Sequence, residues 1–432
     1  MRLFVASPMR AANLVHRVRP EDYLVSIVCV LRTSLAIHGI CTPLSQKKQP
    51  GPRRSEAHDD GLGNSPRFAG DLAPFKPRTD VTLMGSAHVP GGQKATFLPV
   101  TFGVNTWRKS LDIVGDRNLI RAEQVSFTPP ESFSSMALRM ENAFGGLKSP
   151  FNPWGKGFGI LPNAAAARLP ACNIHPAGHR HFDWQAKIAA GAFGPLPPNR
   201  PPRAGLRGTY DEAWLYKRNP LPPEDFDWGF HNAAPPDQQF SPYLRGDETL
   251  YFEHLHPQYP QFSSTLPGLL PRVLVRRETA EGGYQIEELR PALDSVHVDT
   301  DAMTVDLGWR AVTRSPFKEG VDLTHAYIAS EPLSESARPL AEHVEAFEAK
   351  LKPPAIRMPK PPAEPGPSDE EKAEDEEEQV MTLKAAIEKI PFKAPFKDAV
   401  AAAETSQDIR QLIEAEGKRV MAVLEKAAKR KQ

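Results

Sequence analysis

The sequence predicts a mainly β protein: β-sandwich-like sheets joined by long loops rich in Gly and Pro, followed by an α-helical tail. Three observations predict this fold class. The chain of 432 residues contains 45 prolines, roughly double the usual share of about 5 %, and proline breaks helix interiors. Several short segments alternate apolar and polar residues with a period of two, which is typical of strands. Apolar stripes at helical spacing are confined to the C-terminal part.

Changes in composition divide the chain into four parts. Residues 1–127 form an N-terminal β-rich part, and residues 128–335 form a loop-rich β core. Residues 336–379 are expected to hold a helix and then a Pro-rich acidic linker, and residues 380–432 a helical tail. A chain of 432 residues has room for two or three domains.

The first strand is predicted in the apolar run Tyr23–Ile37. This run is too short to span a bilayer, carries Arg32 near its middle and is rich in β-branched residues. The preceding residues 1–22 are expected to be weakly ordered or peripheral. Further strands are predicted around residues 81–85, 95–104 and 109–118, where apolar residues alternate with polar ones.

A β-hairpin and a long helix are predicted further along the chain. Residues 294–312 keep an apolar period of two on both sides of the turn sequence DTDA, which is typical of a hairpin, and residues 284–290 add a strand before it. Residues 338–351 predict one helix, and residues 397–431 predict a second, longer helix with an apolar stripe.

Charge and cysteine content exclude several classes of protein. The formal net charge is zero, which argues against a general nucleic-acid binder, because such a protein needs a basic excess. The cysteines Cys29, Cys41 and Cys172 are odd in number and far apart, so we expect buried thiols, a reducing compartment and a cytoplasmic location. No segment suggests a secretory signal or membrane insertion, and no motif requires a cofactor.

The stretch ENAFGGLKSPFNPWGKGFGILPN, residues 141–163, combines glycines, asparagines and aromatic residues in a pattern typical of neither a helix nor a strand. Its GKGFG spacing lacks both common phosphate-loop patterns, so a scaffold is predicted. Glycine permits positive φ and close approach of chains, and asparagine bonds its own turns. The predicted scaffold residues are Asn142, Gly145, Gly146, Asn152, Gly155, Gly157 and Asn163.

A metal site is one alternative that the sequence raises. Cys172, His175, His179 and His181 are all possible zinc ligands. The segment that carries them also contains Pro176 and Gly178, so no single helical face holds the ligands together. A polar surface loop without metal is the interpretation we prefer.

A carbohydrate- or cell-wall-directed hydrolase is the second alternative. Paired acids occur at 211 and 212, at 225 and 227, and at 247 and 248, with aromatic residues nearby, and glycoside hydrolysis uses two carboxyl groups. Acids in such loops also cap turns and accept hydrogen bonds from backbone amides. No nucleophile elbow is present, so we expect no enzymatic activity.

Several motifs together resemble the domain-of-unknown-function 2169 family. They are DLAPFKPRTDVTLMGSAHVPGGQ, MENAFGGLKSPFNPWGKGFGILPN, FGPLPPNRPPRAGLRGTYDEAWLYKRNPLPPEDFDWGFHNAAPPDQQF, LRGDETLYFEHLHP and VDTDAMTVDLGWR, and the resemblance spans roughly residues 23–330. It implies a non-enzymatic adaptor or chaperone of bacterial type VI secretion. Such a protein holds an effector and helps load it on the VgrG–PAAR spike. The resemblance implies no catalytic residue.

A protein-binding role suggests a rigid surface with aromatic and arginine anchors, because such side chains dominate the binding energy of interfaces. The tail helix is a further candidate for gripping an effector or a spike component. For each tryptophan, burial in the core is the competing interpretation. The candidate partner-binding residues are Trp154, Arg207, Trp214, Tyr216, Trp228 and Arg245.

Overall fold

A computed structural model describes residues 1–20, 22–61, 63–121, 125–157, 168–178, 192–333, 337–351, 377, 380–381, 383–385, 387–388 and 392–429. The chain divides into two compact units, Met1–Leu351 and Lys352–Gln432.

The first unit is mainly β, as the sequence predicts. The strands of its described residues are numbered along the chain. They are β1 Arg2–Val5, β2 Arg10–Arg19, β3 Asp22–Ser34, β4 Gly39–Ile40, β5 Thr42–Pro43, β6 Glu56–Ala57, β7 Pro66–Phe68, β8 Thr79–Met84, β9 Ser86–His88, β10 Phe97–Val104, β11 Trp107–Val114, β12 Asn118–Arg121, β13 Val125–Phe127, β14 Ser135–Ala137, β15 Phe144–Gly145, β16 Lys156–Gly157, β17 Arg168–Pro170, β18 Ile174–Pro176, β19 Gln239–Phe240, β20 Thr249–Glu253, β21 Gln261–Thr265, β22 Leu269–Glu278, β23 Tyr284–Leu289, β24 Ala292–Asp299, β25 Thr304–Ser315 and β26 Leu323–Pro332.

The largest sheet has the strand order β19-β8-β24-β25-β3-β2, and β5 also pairs with β3. Strand β3 contains the apolar run predicted as the first strand of the chain. Its side chains from Leu24 to Leu31 are all buried, which explains why this part of the run is apolar at every position except Ser26 rather than alternating. Only the contact between β8 and β24 is parallel in this sheet.

Of the two alternatives expected for residues 1–22, weak order is wrong for the described residues, whereas a peripheral position fits, because β2 lies at the edge of the largest sheet. Strand β2 pairs antiparallel with β3 from Arg10 opposite Val30 to Arg19 opposite Asp22, and β1 pairs in parallel with β26. The partner of β1 lies more than 300 residues away along the chain. Local sequence carries no record of such a pairing, since it depends on tertiary structure.

The β-hairpin predicted at residues 294–312 is confirmed, and two strands predicted nearer the N-terminus form a second hairpin. Strands β24 and β25 pair antiparallel around the turn that follows Asp299, and β10 pairs with β11 around Asn105. Strand β23 lies where a strand was expected before the first of these hairpins. The indole of Trp309 on β25 is fully buried.

Two further sheets are large, and the remaining strands of the described residues form small sheets of two or three strands. One has the order β18-β11-β10-β20-β21-β4, and the other has the order β1-β26-β22-β23. Side chains of the first, such as Phe102 and Phe252, share one apolar core with Ile27 and Leu31 of β3. The sequence parts 1–127 and 128–335 contribute strands to the same sheet, because β8 of the first part pairs with β19 and β24 of the second.

Helices are few in the first unit. Helix α1 is Glu212–Lys217 and helix α2 is Leu340–Leu351. Phe347 of α2 is fully buried against Leu274, Tyr327 and Ala329, so the predicted apolar face of this helix does pack on a sheet.

The described residues of the second unit are largely helical. Helix α3 is Ala394–Ala402 and helix α4 is Ser406–Lys429. One continuous helix over 397–431 is therefore wrong, because the chain leaves the helical conformation at Ala403, whose φ is −69° and ψ 137°. The break lets Ile387, Phe396, Val400 and Ile409 form a small apolar core.

Candidate partner-binding surface

The stretch predicted to be a scaffold begins with a buried carboxylate. Glu141 Oε1 accepts a hydrogen bond from the backbone N–H of Ser65 at 2.9 Å, and Oε2 accepts from Ser65 Oγ at 2.7 Å. Arg139 Nε donates to the same carboxylate at 2.9 Å. These bonds hold the pKa of Glu141 below its usual value although burial opposes them. They fasten the stretch to a distant loop.

Asn152 organises the middle of this stretch. Its side chain is fully buried, and Nδ2 donates to the carbonyl oxygens of Met140 at 2.7 Å and Phe144 at 3.1 Å. Its Oδ1 accepts from the backbone N–H of Trp154 at 3.2 Å. One amide thus satisfies three backbone groups in a segment without long strands.

The glycines of this stretch lie where chains approach closely. A Cβ at Gly145 would collide with the carbonyl oxygen of Asn152, and a Cβ at Gly155 would collide with that of Ala143. Gly157 has a φ of +97°, and it pairs with Gly145 in a short parallel bridge.

Three other scaffold candidates have different surroundings. Gly146 donates its N–H to the carbonyl oxygen of Asn152 at 2.8 Å. Asn142 Nδ2 donates to the carbonyl oxygen of Ala137 at 2.9 Å. Asn163 lies outside the described residues.

Four of the six candidate partner-binding residues lie on one segment, residues 201–231, which we call the aromatic loop. Its own side chains pin it. Asp225 accepts from both N–H and Oγ1 of Thr209, at 2.9 and 2.8 Å, which lowers the pKa of Asp225. The backbone N–H of Asp227 donates to the carbonyl oxygen of Leu206 at 2.9 Å. The two arms of the loop are therefore tied together on either side of α1.

The tryptophans of the aromatic loop are half-buried, and they hold the loop together. Trp214 Nε1 donates to the carbonyl oxygen of Leu221 at 2.8 Å, and its ring lies edge-on to Tyr210 at 4.6 Å between centroids. Trp228 packs edge-on against Phe226 at 5.3 Å and Phe75 at 6.2 Å. Part of each ring is thus used internally, as the core interpretation of the tryptophans expects.

The exposed part of the aromatic loop is a group of neighbouring apolar side chains. Tyr216 is 82 % exposed, Leu215 49 % and Tyr210 48 %. Arg207 is also exposed, with its guanidinium 5.9 Å from the ring centre of Tyr210. Sequence reasoning missed Leu215 and Tyr210, although their position beside Trp214 and Tyr216 was a usable signal.

The two remaining candidates lie on other segments. Trp154 Nε1 donates to Asn64 Oδ1 at 2.6 Å, and the ring packs against the main core. Arg245 is 70 % exposed, pairs with Asp247 at 3.3 Å and lines a separate pocket of about 300 Å³.

A cleft of about 470 Å³ lies between the aromatic loop and the largest sheet. It combines aromatic side chains with three arginines, Arg19, Arg218 and Arg314, of which sequence reasoning identified none. They were missed because β2, β25 and the aromatic loop come together around this cleft only in the folded chain. The lining residues are Val18, Arg19, Leu24, Phe75, Arg218, Pro222, Pro223, Glu224, Phe226, Trp228, Val312 and Arg314.

The paired acids of the hydrolase hypothesis bind backbone amides. Asp211 caps α1 by accepting from the N–H of Trp214 at 2.8 Å, and Asp227 accepts from the N–H of Gly229 at 2.7 Å. Glu248 accepts from two consecutive N–H groups, at 2.6 and 2.9 Å. These contacts are those of turn-stabilising acids.

Residues 22–310, more than half of the chain, match the model of the DUF2169 family, which is described as an uncharacterized protein conserved in bacteria. This chain belongs to the DUF2169 family. No curated protein and no solved structure matches it.

The metal hypothesis concerns a segment that the structure of this DUF2169 protein describes in part. Cys172 and His175 are buried, with Sγ 3.7 Å from Nε2. Burial raises the pKa of Cys172 to about 11 and lowers that of His175 to about 4. His179 and His181 lie outside the described residues, within which no group of three possible ligands occurs.

The other two thiols of the DUF2169 chain are also free and buried, namely Cys29 and Cys41. Burial raises the pKa of Cys29 to about 12, which makes this thiol unreactive near neutral pH. Among the helices in the described part of the chain, none has the length and apolar character needed to cross a bilayer.

Proposed function

We propose that this DUF2169 protein is a non-enzymatic, cytoplasmic adaptor or chaperone of type VI secretion. It binds an effector protein and helps load it on the VgrG–PAAR spike. The resemblance of residues 23–330 to that class of adaptors motivates the assignment, and the family match covers most of the same residues. The proposed partners are the effector and either VgrG or the PAAR protein.

The observation that carries the proposal is the aromatic loop. Leu215 and Tyr216 lie on a six-residue helix and expose 49 % and 82 % of their surface. Asp211 caps the start of this helix, and Trp214 Nε1 donates a hydrogen bond to the carbonyl oxygen of Leu221, beyond the end of the helix. Exposed apolar side chains that lie next to one another are typical of protein-binding surfaces. Because hydrogen bonds hold the aromatic loop in place, little conformational entropy is lost when a partner docks.

The experiment is a pull-down with this protein as bait from a bacterium that secretes through a type VI system, with the captured effector identified by mass spectrometry. The variant carrying Leu215→Ser and Tyr216→Ser is expected to retain less than about a tenth of the captured partner, since aromatic anchors dominate interface energies. Ile40→Ser is the matched control, because Ile40 is an apolar residue, 65 % exposed, on β4 rather than on the loop.

Two results would contradict the proposal. One is capture by the double variant that equals capture by the unaltered protein, with both folded by circular dichroism. The other is turnover of a glycan by the purified protein that Asp225→Asn or Asp227→Asn abolishes. The second result would establish the hydrolase alternative, which no described pair of acids favours.

A further inference from the structure

Strand β2 is an open edge of the largest sheet. It runs for ten residues, Arg10–Arg19, and pairs with β3 on one side. Among the described residues, no strand and no backbone hydrogen bond from another segment occupies its other side. Its sequence RAANLVHRVR contains three arginines and a histidine and no acid. An open edge offers backbone N–H and C=O groups to another strand.

The C-terminal end of β2 leads into the cleft. Leu24 of β3 lies opposite His16 of β2 and opposite Arg314 of β25, so one face of these three strands forms the floor. Val18 and Arg19 supply the β2 side of that floor. A strand added to the edge of β2 would run beside the cleft and could direct alternate side chains into it.

The cleft has an apolar wall and a cationic rim. Phe75, Phe226 and Trp228 supply the wall, and about 470 Å³ lies within the range of ligand pockets. A cleft of this size has room for a large apolar side chain together with neighbouring residues of a bound segment.

The arginines of the rim differ in what they bind. Arg314 pairs with Asp22 at 2.6 Å while 63 % of its side chain is exposed. Arg218 pairs with Glu224, whose side chain is 86 % exposed, at 3.2 Å. Arg314 is the exposed member of its pair, because the side chain of Asp22 is only 20 % exposed, whereas Arg218, at 30 %, is the more buried member of its pair. Arg19 is exposed and adds a third positive charge against the one acid of the lining.

We propose that the edge of β2 and this cleft together bind an extended, acidic segment of a partner polypeptide. The segment adds to the sheet as a strand along β2, a mode of recognition in which backbone hydrogen bonds supply affinity and pockets supply specificity. One aromatic side chain fills the cleft against Trp228, and a carboxylate two residues along binds at Arg19 and Arg314. This inference deepens the proposed function, on which it rests for the partner being a polypeptide.

The test uses a defined probe and the full-length protein. The probe is the peptide Thr-Val-Phe-Thr-Glu-Val-Thr-amide with fluorescein at its N-terminus, and binding is followed by fluorescence anisotropy. Arg19→Ala and Trp228→Ala are each expected to weaken binding at least about fivefold, which corresponds to roughly 1 kcal/mol. Arg10→Ala, at the far end of the same strand, is the control and should change affinity by less than about twofold.

A second measurement tests strand addition without any substitution. Hydrogen exchange of the β2 amides should slow when the unlabelled peptide binds, since an added strand occupies the open edge. The peptide with Gln in place of Glu should bind more weakly, and the difference should shrink at high salt because salt screens exposed charges.

Three outcomes would overturn the inference. They are absence of probe binding, equal affinity of the Arg19→Ala and unaltered proteins, and unchanged exchange in β2. Slower β2 exchange that appears without peptide as protein concentration rises, together with a dimer in light scattering, would show that a second copy occupies the edge. If the peptide test fails but effector capture still depends on Leu215 and Tyr216, only this inference is refuted and the proposed function stands.

Discussion

At the scale of single residues, buried polar side chains form the hydrogen bonds to backbone groups that strand pairing provides elsewhere. In the stretch 141–157, Glu141 and Asn152 bond the backbone and side-chain groups of several turns. The carboxylate of Asp80 does the same for the backbone N–H groups of Ala233 and Ala234, at 2.8 and 3.1 Å. Such residues stabilise because an unpaired buried polar group is costly.

Asn152→Ala is therefore expected to lower the free energy of unfolding by about 2–4 kcal/mol, because it leaves buried backbone groups of Met140 and Phe144 without their donor. Urea denaturation followed by fluorescence measures this change. Asn142→Ala is the control, with an expected loss below about 1 kcal/mol, since Asn142 is only half-buried. Equal losses in both variants would contradict this role of Asn152.

Buried imidazoles predict a dependence of stability on pH. Burial lowers the pKa of His175 and His297 to about 4 and that of His231 to about 3. The unfolded chain binds these protons near pH 6.5, whereas the folded chain does not. Unfolding thus takes up protons below about pH 6.5, down to about pH 4 for His175 and His297 and about pH 3 for His231, so their contribution to stability is present above 6.5 and is lost as pH falls through this window.

His297→Gln should reduce this loss, because Gln does not titrate. The unfolding free energy should fall between pH 7 and pH 4.5 in both proteins, but less in the variant. The difference between the two proteins should grow by up to about 1.4 kcal/mol for each pH unit below 6.5. Thr82→Val is the control, since it removes the 2.8 Å hydrogen bond to His297 Nδ1 but keeps the imidazole. An equal loss of unfolding free energy at low pH in His297→Gln and the unaltered protein would contradict this role of His297.

At the scale of elements, the apolar pattern predicts the central strands and misses the edges. Strand β3 is buried on both faces and reads as a strand from its β-branched run. Strand β2 is only half-buried, and its polar residues resemble those of a terminal loop. The long tail pattern likewise hides the break between α3 and α4, since Ala, Glu and Thr occur in helices and loops alike.

The start of α4 depends on a capping residue. The backbone N–H of Asp408 donates to Thr405 Oγ1 at 3.1 Å, and that hydroxyl donates to Asp408 Oδ2 at 2.7 Å. Thr405→Ala should destabilise the first turn by about 1 kcal/mol, and so speed hydrogen exchange of residues 407–409 about fivefold. Gln407→Ala is the control, and the same acceleration in both variants would argue against capping.

At the scale of the whole molecule, every strand of the described residues lies in the first unit. The last strand of the described residues ends at Pro332, and α2 adds Phe347 to the sheet surface formed by Leu274 and Tyr327. Beyond Leu351 the second unit has its own apolar core around Phe396 and Ile409. The two cores explain why the chain divides near residue 351.

A chain truncated after Leu351 should therefore fold, with a melting temperature within a few degrees of that of the full chain. Truncation after Leu333 is the matched comparison and should lower the melting temperature clearly, since it removes Phe347 and uncovers Leu274 and Tyr327. Circular dichroism measures both. If the protein ending at Leu351 were unfolded, the division into two units would not hold.

Effector capture by the truncated chain tests the role of the tail. Undiminished co-purification would refute our prediction that the tail helix grips the effector or a spike component. It would leave the aromatic loop as the proposed docking surface.

From the sequence alone came the β-rich class, the central strand β3, the hairpin of β24 and β25 and the polar stretch around Asn152, because each depends on local periodicity or turn chemistry. The pairing of β1 with β26 and the meeting of Arg19 with Trp228 at one cleft depended instead on the tertiary structure. These features join residues up to hundreds of positions apart. Their energies come from burial and hydrogen bonds between segments, which no local pattern records.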